Sequence, residues 1–182
     1  MERYRIHNDA HVYFVTFSIV EWLPVFVTEK TFRIVSESFN FCHQRKNLRI
    51  HAYVIMPTHL HAIVFDAEWN SERLEQTLTD FRKFTGRQLT DWCLHHGPQC
   101  FAETLAANAP ADREHRFWQP SRHPETIESE PFWRQKLDYL HENPCRKGLV
   151  RRAVEWRFSS ASWHISDCSV ENDVLLTPLN WT

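Results

Sequence analysis

Apolar periodicity divides most of the chain into strands and helices. Residues 11–19 are dense in β-branched and aromatic side chains (Val12, Tyr13, Phe14, Val15, Thr16, Phe17) and predict a first strand, with Pro24 closing the segment after it. Over about 29–46, Phe32, Val35, Phe39 and Cys42 recur on one face at helical spacing, so a helix is expected there. A second strand is expected over about 48–56. Pro57 and Thr58 then turn the chain into a third strand over 59–65, and so short a link makes an antiparallel hairpin the natural arrangement. Asn70 or Ser71 can cap a second helix whose buried stripe is Leu74, Leu78, Phe81, Thr85, Leu89 and Trp92.

Beyond that helix the pattern weakens. Residues 95–115 contain Gly97-Pro98, an Ala-rich run and Pro110, and read as a long loop or insertion with room for one short helix. Phe117-Trp118-Gln119 reads as a short fourth strand. Ser129 caps a third helix over 132–143, with Pro131 in its first turn and with Pro144 and Gly148 ending it. Residues 150–182 read as a tail that packs through Trp156, Phe158 and Trp163.

The order β-α-β-β-α-β followed by a helix predicts an α+β, ferredoxin-like sandwich, an antiparallel sheet with helices on one face, plus a C-terminal helix and tail. At 182 residues and 42% apolar, the chain is expected to form a single domain over 1–182. Many functions share that fold, so chemistry has to be argued from the site.

Composition removes several classes of function. Three glycines are too few and too scattered for a phosphate loop or dinucleotide fingerprint. The five cysteines form no C-x-x-C pair, which suggests a reduced, cytoplasmic setting, and no signal peptide or membrane span is read. A net charge of −2 does not announce a nucleic-acid binder, but 134–157 carries seven basic residues against three acidic ones. A solvated surface is the plain reading of such a cluster.

Three residue types carry candidate chemistry. His59 and His61 lie two apart on a predicted strand, so both imidazoles project from one face as a bidentate metal site while Leu60 enters the other. With twelve histidines in the chain, a chance pair is a real alternative. Tyr139 falls off the apolar stripe formed by Trp133, Leu137 and Leu140, on a polar face with Gln135, Glu142, Asn143 and Arg146. Asn143 is one turn further along and can offer an amide oxygen as a third ligand, although Asn before Pro is also an ordinary helix-ending residue.

Taken together, these blocks resemble the REP-associated tyrosine transposases, members of the single-tyrosine HUH endonucleases. The resemblance runs from His11-Val12-Tyr13-Phe14-Val15-Thr16 through Met56-Pro57-Thr58-His59-Leu60-His61 and Phe81-Arg82-Lys83-Phe84-Thr85. It continues through Phe117-Trp118-Gln119 and Asp138-Tyr139-Leu140-His141-Glu142-Asn143-Pro144 to Trp156-Arg157-Phe158-Ser159-Ser160. It implies that His59 and His61 hold a divalent metal, Mg²⁺ or Mn²⁺, with Asn143 as a third ligand. It also implies that Tyr139 attacks DNA, making the third helix catalytic. The substrate it implies is single-stranded DNA beside a REP-like hairpin, cut through a 5′-phosphotyrosine intermediate by a monomer or homodimer. Arg146, Lys147, Arg151 and Arg152 are placed to hold the DNA backbone, with Arg82 and Lys83 as further candidates. The 95–115 stretch is an elaboration that compact members lack.

Two rivals remain at this stage. One is a ferredoxin-like regulator that binds single-stranded DNA or RNA without cutting it, although the RNP pattern of such modules is missing. The other is a zinc protein suggested by His95, His96 and Cys100, for which no compact four-ligand spacing exists.

Overall fold

Strand alternation decides which of two cores each side chain enters. The computed structural model describes residues 4–6, 11–120 and 124–181. Its elements are β1 (Tyr4–Ile6), β2 (Val12–Ser18), α1 (Glu29–Arg45), β3 (Leu48–Met56), β4 (His59–Asp66), α2 (Ser71–His96) and α3 (Gln99–Ala107). β5 (Glu125–Thr126), α4 (Glu130–Arg146), α5 (Ala161–Ile165) and β6 (Leu179–Trp181) follow. The main sheet has the order β3-β4-β2-β5, every neighbouring pair antiparallel, which is the ferredoxin-like arrangement.

On one side of this sheet Val15 and Phe17 of β2, Tyr53 and Ile55 of β3, and Leu60, Ala62 and Val64 of β4 form a core with α1 and α2. On the other, Val12, Phe14, Ala52, Val54, Met56, Ile63 and Phe65 meet Leu140 of α4. Both faces are therefore covered, which explains why all of β4 is buried. α1 is capped by Thr28, whose hydroxyl accepts from the Thr31 N–H, and it buries Phe32, Val35, Phe39 and Cys42. Phe39 stacks on Phe81 of α2, with centroids 4.5 Å apart, tying the two helices together over the sheet.

β3 contains a bulge between Ile50 and Ala52. The extra residue, His51, inverts the alternation: Leu48 and Ile50 face the first core, whereas Ala52, Val54 and Met56 face the second. β3 is a sheet edge, and the C-terminal segment closes it. The Ile55 N–H donates to the Phe158 carbonyl, the Ser160 N–H to the Tyr53 carbonyl, and the Thr177 N–H to the Ile50 carbonyl. Trp156 Nε1 donates to the Ile55 carbonyl, and Phe158 lies flat on Phe32.

Three local expectations need correction. The fourth strand is Glu125–Thr126, paired with Tyr13 and Phe14; residues 117–119 instead make a single bridge, Ile19 to Trp118, further along the same edge. The 95–115 stretch is not mainly loop. α2 runs on to His96, and α3 forms directly after the Gly97-Pro98 break. Finally, Pro144 does not end α4, which reaches Arg146. A proline this close to the end deprives only the Leu140 carbonyl of its helical partner. The terminus belongs to Gly148 (φ +70°): its N–H donates to the Cys145 carbonyl and the Leu149 N–H to the Pro144 carbonyl, a Schellman closure.

Candidate active site

β4 supplies the first half of the site. Its alternation sends Leu60 into the core under α1 and α2 and turns His59 and His61 toward α4. Their rings stand 4.8 Å apart, nearly perpendicular. Each Nδ1 is held by a threonine: His61 lies 2.7 Å from Thr16 Oγ1 on β2, and His59 lies 2.9 Å from Thr58 Oγ1 in the hairpin turn. With Nδ1–H donating to the hydroxyl, each ring presents Nε2 as a lone pair, the form a metal requires. His61 Nε2 is buried and has no hydrogen-bond partner among the described residues.

α4 supplies the second half. Ser129 caps it, its hydroxyl accepting from the Phe132 N–H, and Pro131 fits the first turn. Tyr139 is 36% exposed, its ring 5.4 Å from His61 and 6.1 Å from Phe14, edge-on to both. Phe14 itself stacks on His61 at 5.2 Å, so the phenol ring rests on a platform formed by the strands. Asn143, placed by the sequence on the polar face of the helix, is only 4% exposed, and its Oδ1 is a second buried atom without a partner among the described residues. Tyr139 meets His61, and the charge of Lys147, two turns on, is felt by His59. Asn143 follows one turn past Tyr139 on the same helix.

Two orphaned acceptors, one imidazole nitrogen and one amide oxygen, on facing elements fit a divalent cation that takes nitrogen and oxygen ligands. Among the described residues no group of three His, Cys, Asp or Glu side chains could hold a metal, so an amide would have to complete the set. The same finding leaves the zinc reading of His95, His96 and Cys100 without a ligand cluster among those residues.

The predicted cations separate. The guanidinium of Arg146 lies 5.5 Å from the Tyr139 ring centroid, and both line an open groove of about 400 Å³ with Phe132, Gln135, Lys136 and Asp138. Lys147 acts on His59. Arg152 is turned aside into a pair with Glu155 at 2.8 Å, and the Arg151 N–H also donates to that carboxylate. Arg82 and Lys83 are not brought to the histidines: they line a different groove, of about 840 Å³, between α2 and residues 110–120.

Sequence reasoning passed over Lys136, one turn before Tyr139. Its ammonium sits 4.6 Å from the Phe14 ring and 2.6 Å from Glu125, and its charge is felt by His61. The spacing i to i+3 from Tyr139 was the available signal. Thr16 and Thr58 were also missed as ring-holding partners, because a hydroxyl's role depends on a neighbour distant in sequence.

Burial, and then the charge of Lys147, lowers the pKa of His59 to about 4. Burial, then His59 and Lys136, lowers that of His61 to about 3. Burial also brings His51 and His141 to about 3. These folded values lie below the unfolded one of ~6.5, so protons bind the unfolded chain first as pH falls. The stability tied to neutral imidazoles is therefore complete above about pH 6.5 and is lost progressively toward pH 4, at up to ~1.4 kcal/mol per group per pH unit. Thermal melts between pH 7.5 and 4.5 should show Tm holding and then falling steeply below pH 6.5. A flat profile would mean that these rings are solvated in the native protein.

Among the described residues no helix is long and apolar enough to cross a membrane. No protein-family model matches the chain, and no curated protein does. Among solved structures, the chain is similar to a REP-associated tyrosine transposase bound to a REP hairpin, with 18% identity over 96% of this chain and 92% of that one and a TM-score of 0.59. It is also similar to a Deinococcus radiodurans protein described as a candidate transposase, at 14% identity, 72% and 88% coverage and a TM-score of 0.46. At the identity of the first pair the likeness is one of architecture: the chain has the fold of that transposase along nearly its whole length.

Proposed function

We infer that the chain is a metal-dependent single-stranded DNA endonuclease and strand transferase of the single-tyrosine HUH kind, acting at hairpin-bearing repeats. One observation carries this reading: the only tyrosine of α4 rests against His61, and His61 Nε2 and Asn143 Oδ1 are buried with no hydrogen-bond partner among the described residues. The family resemblance of the sequence and the REP hairpin bound by the structural neighbour support this substrate class.

His59, His61 and Asn143 are the residues that would hold the cation. When bound, such an ion polarises a non-bridging phosphate oxygen and stabilises the charge of the transition state. The protein's own groups do the rest. The Tyr139 oxygen forms a bond to phosphorus and its phenolic proton passes to solvent, while the bond to the 3′-oxygen breaks and that oxygen takes up a proton from solvent. The products are a 5′-phosphotyrosine and a free 3′-hydroxyl. Because a phosphodiester replaces a phosphodiester, attack by another 3′-hydroxyl reverses the step and joins strands without ATP. Phe14 and His61 fix the phenol ring, and Arg146 and Lys136 bring positive charge to the groove in which a phosphate would lie.

The test is incubation with a pool of single-stranded DNA hairpins and Mg²⁺ or Mn²⁺, followed by mass spectrometry. A DNA-linked peptide containing Tyr139 is expected; nicking without any tyrosine adduct would refute the mechanism. Lys136→Met should lower the rate of adduct formation about 10²-fold, the weight of one preorganised charge at a phosphoryl transition state. Its affinity for a hairpin should change far less, which parallel binding and single-turnover measurements would separate.

A further inference from the structure

We propose that Trp22 is a stacking platform for the nucleobase adjoining the scissile phosphate. This rests on the nucleic-acid reading of the site but adds a residue and a subsite to it. Trp22 ends a short 3-10 turn, Val20–Trp22, directly after β2. Trp22 is 54% exposed, yet its ring centroid lies 5.7 Å from that of His59, the two planes at 82°. A large apolar residue that leaves more than half of its surface exposed adds little to folding, but it stands beside the candidate metal ligand with much of its indole available to a partner.

The backbone supports this more strongly than the exposure does. Glu21 (φ +49°) and Trp22 (φ +54°) both adopt the left-handed conformation that residues with a Cβ avoid. Strain of this kind persists only where the surroundings over-determine it, and it gathers at functional sites. Here the surroundings are visible. The Val20 N–H donates to the Phe117 carbonyl, the Ile19 N–H to the Thr58 carbonyl and the Phe26 N–H to the Pro57 carbonyl, while Val20, Val25 and Phe26 are buried. The loop is thus fastened to the hairpin turn immediately before His59, and the strained pair sets the indole against the His59 ring.

The occupant follows from the neighbours. A phosphate held near His59 and Tyr139 carries a base within reach of Trp22, and base stacking on an exposed indole is tolerant of sequence and needs no hydrogen-bond partner. A protein partner would ask for a wider apolar patch than one ring.

The test is a double-perturbation cycle on binding of a hairpin with a single-stranded flank, carried out with Tyr139→Phe protein so that no cleavage intervenes. One perturbation is Trp22→Ala; the other is an abasic sugar at each flank position in turn. Trp22→Ala should weaken binding roughly 5- to 150-fold, the range for one stacked base. At one flank position the abasic DNA should bind the parent as weakly and lose nothing further on Trp22→Ala. Trp22→Phe should restore most of the affinity. Trp22→Gly, which removes the ring and relieves the left-handed strain, should melt no lower than the parent while binding as weakly as Trp22→Ala. Equal losses on base-bearing and abasic DNA at every position, or no loss at all, would overturn the platform. A full coupling in protein whose wild type forms no adduct would keep the platform and refute the nicking reading. An adduct without coupling would do the reverse.

Discussion

Tyr139→Phe should abolish the covalent DNA–protein adduct and lower hairpin nicking by on the order of 10⁴-fold or more, as loss of a nucleophile does elsewhere. Hairpin affinity should stay within about twofold. The reasoning separates the phenol oxygen from its ring. The ring contacts of Tyr139, to His61, Phe14 and the Arg146 guanidinium, are aromatic and cation–π contacts that phenylalanine reproduces. The side chain is partly exposed, so removing its hydroxyl should change stability by no more than about 0.5 kcal/mol. A regulator that only binds would keep its whole function in this variant, which makes one substitution decisive between the two classes. Adduct formation in Tyr139→Phe protein at the wild-type rate would move the nucleophile elsewhere and leave the α4 site without its central role.

The hairpin half of this site was legible in the sequence because a strand has a period of two. Once 48–56 and 59–65 are strands, the turn at Pro57-Thr58 leaves His59 and His61 on one face whatever packs above. The stripe of α1 was legible for the same reason at the helical period, and Phe32, Val35, Phe39 and Cys42 are all buried. The helix half was less so. A single apolar stripe through Trp133, Leu137 and Leu140 runs on to Pro144 and leaves Asn143 to one side, but near the C-terminus of α4 the buried side takes in Asn143 as well. Lys136 escaped notice because a lysine is normally solvated. Here its side chain is only 17% exposed, laid over Phe14 and Phe132 with its ammonium on Glu125. The edge strand β5 was misplaced because two residues of pairing leave no periodicity to detect, whereas Phe117 and Trp118 are apolar for the sake of the core beneath α2. Trp22 left no trace either, since left-handed backbone at Glu21 and Trp22 is imposed by distant carbonyls and not by those residues' own preferences.

Asn143→Leu should separate ligand from scaffold through effects of opposite sign. Asn143 Oδ1 is buried without a partner among the described residues, and such an atom costs about 1–3 kcal/mol of desolvation. A leucine of similar volume removes that cost and breaks no side-chain hydrogen bond among the described residues, so the metal-free variant should melt at or above the wild-type temperature. In the wild type, Mn²⁺ or Mg²⁺ at 100 times its dissociation constant should add about 2.7 kcal/mol, a rise of roughly 5–10 °C in Tm for a chain of this size. Asn143→Leu should lose most of that rise. His61→Ala should lose all of it and start lower, because it also empties the space against Phe14 and strands the Thr16 hydroxyl. If Asn143→Leu kept the full metal-induced rise, the amide would not be a ligand and the cation would rest on the two imidazoles and the substrate alone. If the variant instead melted far below wild type without metal, Oδ1 would have a partner in the native protein, and the main physical sign of a third ligand would be gone.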